Sequence, residues 1–179
     1  MLSSPDYLTD TEMSNSESFS ELQALQQPEG ELYLRFFVSS GYEFALPATG
    51  IREVLSIAPD LITSVPNTSP ILMGVFNLRG QVVWIADVGQ FLGEAQPINT
   101  DRAEISVVAV ESQDILVGLA VDQVTGMDWL SPDQLSLSTQ APDQVAPFLK
   151  GEWEMAEAAY QRLWLLDPVA ILRSARWAT

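Results

Sequence analysis

From Glu31 the chain alternates between two faces, with Leu32, Leu34, Phe36 and Val38 on one and Glu31, Tyr33, Arg35 and Phe37 on the other. A period of two predicts a β-strand. Ser39-Ser40-Gly41 supplies turn chemistry, so the apolar run from Tyr42 to Leu46 reads as the second arm of a hairpin. A further strand is expected over Ile51 to Ile57. Pro59, Pro66 and Pro70 break up the stretch that follows, which predicts an irregular connection with at most one helical turn near Thr68 to Leu72. Gly74 to Leu78 and Gln81 to Ala86 are paired as strands across Arg79-Gly80, where glycine supplies positive φ for a tight reversal.

Asp87 is placed to cap a short helix through Leu92, and Gly93 to end it. Beyond a polar connection over residues 94–102, the runs Ile105 to Val110, Ile115 to Val121 and Val124 to Leu130 predict a three-strand meander. Pro132, Pro142 and Pro147 mark a second irregular connector. Phe148 to Met155 and Tyr160 to Leu166 form a final strand pair, and Asp167-Pro168 reads as the cap and first residue of a short terminal helix. No solenoid-type period is present. Roughly ten short strands with little helix predict an all-β barrel or sandwich.

Residues 1–30 break this pattern, with six acidic residues, six serines and no lysine or arginine. They read as an acidic disordered tail, separate from a domain over residues 31–179. One island interrupts the tail: Ser18 and Glu21 have capping-box spacing, and Phe19, Leu22 and Leu25 recur every three residues. A short docking helix is the alternative to a solvated tail there.

Composition narrows the chemistry. Among 179 residues there is no histidine and no cysteine, which removes the common ligands of zinc, copper, haem and iron–sulfur clusters. The same absence removes Ser-His and Cys-His nucleophile pairs and leaves carboxylates, four tyrosines and Lys150 as the groups any catalysis would use; no metal, cofactor or catalytic residue is assigned. A net charge of −16 with no basic cluster disfavours phosphate backbones and anionic lipid surfaces. The longest apolar runs fall well short of the roughly 20 residues that span a bilayer. With no secretory pattern at Met1 to Asp6, a soluble cytoplasmic protein is the expectation.

The stretch Gly74-Val75-Phe76-Asn77-Leu78-Arg79-Gly80-Gln81-Val82-Val83, followed by Ile85-Ala86-Asp87, resembles the central signature of CheW-like domains. Tyr42 to Pro47, Ile51-Arg52-Glu53-Val54, Val117 to Val124 and Phe148 to Gly151 resemble further family elements in the same order. Two departures are Trp84, where the family often has proline, and Gly89-Gln90 after Asp87. The resemblance covers about residues 31–172. It implies two intertwined five-stranded SH3-like barrels with short helices, and a non-enzymatic adaptor between chemoreceptor cytoplasmic tips and the regulatory domain of a CheA-type histidine kinase. Such a protein is recruited to membrane receptor arrays through its partners.

Carried over by resemblance, the receptor groove involves Ala48, Ile51, Glu53, Asn77 and Arg79, with Arg79 pairing Glu53. That pair either shapes the receptor-facing surface or stabilises a barrel corner; likewise Ile51 has a core reading and Asn77 a turn-capping one. The kinase face is placed around Ile85, Val88, Phe91, Leu92 and Val108. Trp84 and Trp129 are the expected contact anchors among five tryptophans. Two other classes stay open, a small carboxylate-dependent hydrolase and a ligand-binding barrel. Glu152 with Glu154, and Asp122 with Asp128, are the candidate acid–base pairs, and solvated faces are their bland reading.

Overall fold

The computed structural model describes residues 29–138, 140–155 and 161–178. Residues 1–28, with the island at Ser18 to Leu25, and Tyr160 at the start of the last predicted strand lie outside the described residues.

Ten strands form two five-stranded sheets. They are β1 (Glu31–Phe37), β2 (Glu43–Pro47), β3 (Ile51–Ile57), β4 (Leu72–Leu78), β5 (Gln81–Asp87), β6 (Ile105–Ser112), β7 (Ile115–Val121), β8 (Gln123–Leu130), β9 (Leu149–Glu154) and β10 (Arg162–Leu166). The first sheet has the order β8-β1-β2-β10-β9, and the second β3-β6-β7-β5-β4. The chain therefore starts in one sheet, builds the other completely, and returns. Two short helices follow strands, α1 (Val88–Phe91) after β5 and α2 (Pro168–Leu172) after β10.

Each sheet curls back on itself through one bridge beyond its ladders. Thr63, past the end of β3, pairs with Val75 of β4, and Ser136, past the end of β8, pairs with Glu152 of β9. A glycine permits each closure. A Cβ built on Gly74 would sit 2.3 Å from the Thr63 carbonyl oxygen, and one on Gly151 2.6 Å from that of Ser136. Real side chains do not reach such distances, so both positions require glycine's missing Cβ.

The two sheets repeat one plan. In both, the third and fourth strands are parallel, β7 with β5 and β2 with β10, and every other contact is antiparallel. The sequence echoes it: Pro70, Gly74, Trp84 and Asp87 in the second sheet stand where Pro147, Gly151, Trp164 and Asp167 stand in the first. Asp87 caps α1 by accepting from the Gln90 amide at 3.1 Å, and Asp167 caps α2 by accepting from the Val169 amide at 2.9 Å.

Three apolar clusters hold the fold. One fills the second sheet with Val83, Ile85, Ile105 and Val107, and one fills the first with Tyr33, Ala45, Trp153, Leu163 and Leu165. The largest joins the two sheets and both helices through Leu34, Phe36, Phe44, Phe91, Val108, Trp164 and Ile171. Full burial of a side chain such as Phe36 or Phe91 is worth about 1.5–3 kcal/mol. Strand β1 thus buries both faces, and Tyr33, on the face opposite Leu34 and Phe36, is only 3% exposed.

One expectation changes. The meander stops at two strands, because β5 occupies the free edge of β7 through Trp84↔Val117, leaving β8 to cross and pair with β1. Near Thr68 to Leu72 the chain makes a reverse turn, with the Leu72 amide donating to the Ser69 carbonyl at 2.9 Å. The 3₁₀ turn lies earlier, at Pro59–Leu61.

Candidate functional site

Strand β4 ends and β5 begins at a two-residue reversal in which Arg79 has φ 50° and Gly80 φ 88°. Two consecutive positive values make the primed turn whose twist matches paired strands. Asn77 fastens it, its side-chain oxygen accepting from the Gly80 amide at 2.7 Å. A non-glycine residue is uncommon in this backbone region, and the turn projects the Arg79 side chain from the sheet end. There its guanidinium grips both carboxylate oxygens of Glu53 at 2.9 and 2.7 Å. The arginine side chain is 75% exposed.

Glu53 lies on β3, two residues beyond Ile51, which packs at the margin of the joining cluster. Ala48 is half-buried in the 3₁₀ turn that feeds β3. The fold therefore brings all five expected groove residues onto two neighbouring segments, 48–53 and 77–79. Asn77 caps the turn and Ile51 borders the core, so both also serve the structure.

The residues expected on the kinase face are placed differently. Ile85, Val88, Phe91, Leu92 and Val108 are all core side chains, none more than 4% exposed. Ile85 points into the second sheet, and the other four pack where the sheets and α1 meet. Their side chains present little surface to a partner in this structure, because their apolar periodicity faces a second packing surface. Their alternate neighbours on β5 are the ones that reach solvent: Val82 is 69% exposed and Trp84 36%. With Ile115 on β7 they form an exposed apolar strip beside the Arg79 turn. Trp129 and Met127 are exposed on β8 of the other sheet.

Basic side chains gather at the Arg79 end. Arg52 donates to Gln81 at 3.2 Å and lies 3.9 Å from Glu111, and Arg173 donates to Gln113 in the β6–β7 turn.

Three of the four carboxylates considered for acid–base chemistry are held in separate ion pairs. Glu152, 4% exposed, accepts from Arg162 at 2.7 Å, the Trp164 indole at 2.9 Å and the Ser138 hydroxyl at 2.7 Å, whereas Glu154 faces solvent. The solvated reading of this pair therefore fails for Glu152. Asp122 pairs with Arg102 at 2.8 Å, and Asp128 with Arg35 at 2.5 Å.

Arg35 also holds Glu43, a carboxylate buried to 3% exposure, through two bonds of 2.9 Å. Burial by itself lowers the Arg35 pKa, but hydrogen bonds and charge from Glu43 and Asp128 outweigh it and raise it above the usual value. Tyr33 nearby is pushed up to about 12, first by burial and then by its bond to Glu31. Sequence reading passed over this cluster. Its signal was two opposite charges at positions 35 and 43, flanking one hairpin in a chain with only eight basic residues.

Comparison with known proteins follows the same lines. The CheW-like domain profile matches residues 33–176, which takes in nearly all of both sheets. Protein PilI of Pseudomonas aeruginosa is 34% identical over 119 residues, 64% of this chain and 63% of that protein. Chemotaxis protein CheW of Thermotoga maritima is 32% identical over 91 residues, 50% of this chain and 57% of that one. The aligned stretches thus span less than two thirds of either relative. The crystal structure of the scaffolding protein TtCheW from Thermoanaerobacter tengcongensis superposes with a TM-score of 0.69, covering 84% of this chain and 97% of that one at 16% identity, a likeness of fold.

Proposed function

This chain belongs to the CheW-like domain family, and on that premise we propose that it is a non-enzymatic adaptor, coupling chemoreceptor-type signalling domains to a CheA-type histidine kinase. The single observation that carries the reading is the family match across residues 33–176, the stretch that builds both sheets. The names of the relatives, PilI and CheW, support a motility or chemotaxis setting. No helix among the described residues is long and apolar enough to cross a membrane. In this reading the protein works in the cytoplasm and reaches receptor arrays through its partners.

The mechanism is rigid positioning. Receptor contact is assigned to the groove of Ala48, Ile51, Glu53, Asn77 and Arg79, where the arginine fork holds β3 to the β4–β5 turn. Movement of one partner is then passed on through the shared core instead of being absorbed by a loose loop. Kinase contact falls to exposed neighbours of the buried residues first considered, Val82 and Trp84 on β5. An anchor such as Trp84, flanked by aliphatics, has the chemistry of an interface hot spot.

Titration against the isolated kinase regulatory domain and, separately, a receptor cytoplasmic tip tests the assignment. Trp84→Ala is expected to weaken kinase binding roughly tenfold and leave receptor binding unchanged. Equal loss toward both partners, or toward neither, would refute the division of surfaces.

A further inference from the structure

Because the two sheets share one plan, strand positions in one have counterparts in the other. Trp164 of β10 lies between Glu152 of β9 and Phe44 of β2, and Trp84 of β5 lies between Val75 of β4 and Val117 of β7. The two tryptophans occupy the same face, since their neighbours Leu163 and Leu165 in one case, and Val83 and Ile85 in the other, fill the clusters of their own sheets. Two residues before Phe44 stands Tyr42, and two before Val117 stands Ile115.

The surroundings of the two indoles differ. Tyr42 lays its ring against Trp164, with centroids 4.9 Å apart and 33° between the planes, and Phe44 adds a second ring at 5.6 Å. The Trp164 indole donates to Glu152, which Arg162 holds, and the residue is 5% exposed. In the second sheet every one of these partners is aliphatic: Ile115 for Tyr42, Val117 for Phe44, Val75 for Glu152 and Val82 for Arg162. No ring stacks on Trp84 among the described residues, and it stays 36% exposed.

What the second sheet has instead is a groove of about 240 Å³, lined by Leu72, Trp84, Ile115, Val117, Leu172 and Trp177. A dry cavity of about 150 Å³ already holds a benzene ring, so there is room for one aromatic side chain. None of the six lining residues carries a charge, and a charged occupant would lose hydration without compensation. Leu72, Val117 and Trp177 also pack against the cluster that joins the sheets. The groove is thus the outward continuation of the interface between the two halves. A ring placed there gains from stacking on Trp84 beyond the area it buries.

We propose that the groove receives one aromatic side chain from an uncharged stretch of the kinase, stacked on Trp84 as Tyr42 is stacked on Trp164. The demand for a ring stands on the comparison of the halves; its source rests on the adaptor reading. Methyl nuclear magnetic resonance of the full-length chain, bound to a deuterated CheA-type kinase that keeps protons only on its aromatic residues, reads the contact. Cross-relaxation should link kinase aromatic protons to the Ile115 and Leu172 methyls. Saturated binding without such links would overturn the proposal.

Ile115→Tyr supplies the ring from within. Ile115 is 45% exposed, so the variant should fold, bind the kinase at least tenfold more weakly and bind a receptor tip as before. Unchanged kinase affinity in the folded variant would overturn the groove as the docking site, and the wild-type methyl contacts decide the matter even if the variant does not fold. p-Cresol, the free tyrosine side chain, tests the demand without any partner. It should shift the Ile115 and Leu172 methyls and the Trp84 indole, and spare Val54 and Leu137; even shifts would overturn the demand for a ring. If p-cresol seats but the kinase does not bind at all, the adaptor reading fails and the kinase as source fails with it.

Discussion

Two arginine–glutamate pairs show how burial sets the worth of an interaction. Arg79 and Glu53 meet in bidentate geometry, but the arginine side chain is 75% exposed. Exposed pairs contribute about 0–1 kcal/mol, so Arg79→Ala should leave the urea unfolding midpoint close to wild type. Glu43, 3% exposed, is the buried counterpart. Glu43→Gln leaves the Arg35 guanidinium half-compensated and should cost about 3 kcal/mol. Equal losses in the two variants would mean that burial does not separate these pairs. The exposed pair was legible because its residues sit in a family motif. The buried pair was missed because strand alternation sorts residues by hydropathy and cannot tell an inward arginine from an outward one.

Asp87 supplies the pH dependence at this scale. Burial, acting against amide bonds from Ile98, Gln90 and Gly89, raises its carboxyl above the ordinary 3.8. A raised acid is favoured in its protonated form by the fold. Its contribution is full below 3.8 and is lost as pH rises through the folded-state value. Unfolding midpoints of wild type relative to Asp87→Asn, measured between acid and neutral pH, should fall as pH rises. A relative gain with pH would show that the amide bonds, not burial, dominate.

Elements were readable where a single local rule decides them. The Arg79-Gly80 reversal and the aspartate caps of α1 and α2 follow from turn and cap chemistry. Placement was not readable where two surfaces compete for one strand. Ile85 and Val108 look like candidates for a contact face until a second sheet is laid against the first, and β8 looks like a third meander strand until β5 takes the edge of β7. The closing bridges are another such feature, since nothing local in Gly74 announces the Thr63 carbonyl. Gly74→Ala forces that contact apart and should cost several kcal/mol, as other forced overpacking does (about 1–3 or more), with loss of hydrogen-exchange protection at Thr63 and Val75. Gly80→Ala, with φ 88° and nothing within 4 Å of the added Cβ, should cost only about 1 kcal/mol. The reverse ranking would mean that the bridge does not close the sheet.

At the scale of the molecule, the two sheets are one plan used twice, and the duplication escapes a linear reading because it is permuted. The second sheet runs β3 to β7 in order, whereas its counterpart begins with β8, β9 and β10 and is completed by β1 and β2. Only the echoes around Gly74 and Gly151, and around Trp84 and Trp164, survive in sequence. The joining core ties these halves together, so both proposed contact surfaces, which lie on the second sheet, are held on one rigid frame. This supports function by occupancy and rigidity.

The most direct test is co-sedimentation of a CheA-type kinase with membranes that carry its receptor, with and without this protein. The adaptor account predicts that kinase pellets with receptor only when the full chain is added, and that recruitment falls with Trp84→Ala. Equal kinase recruitment in its absence, or no association of the chain with either native partner, would contradict it.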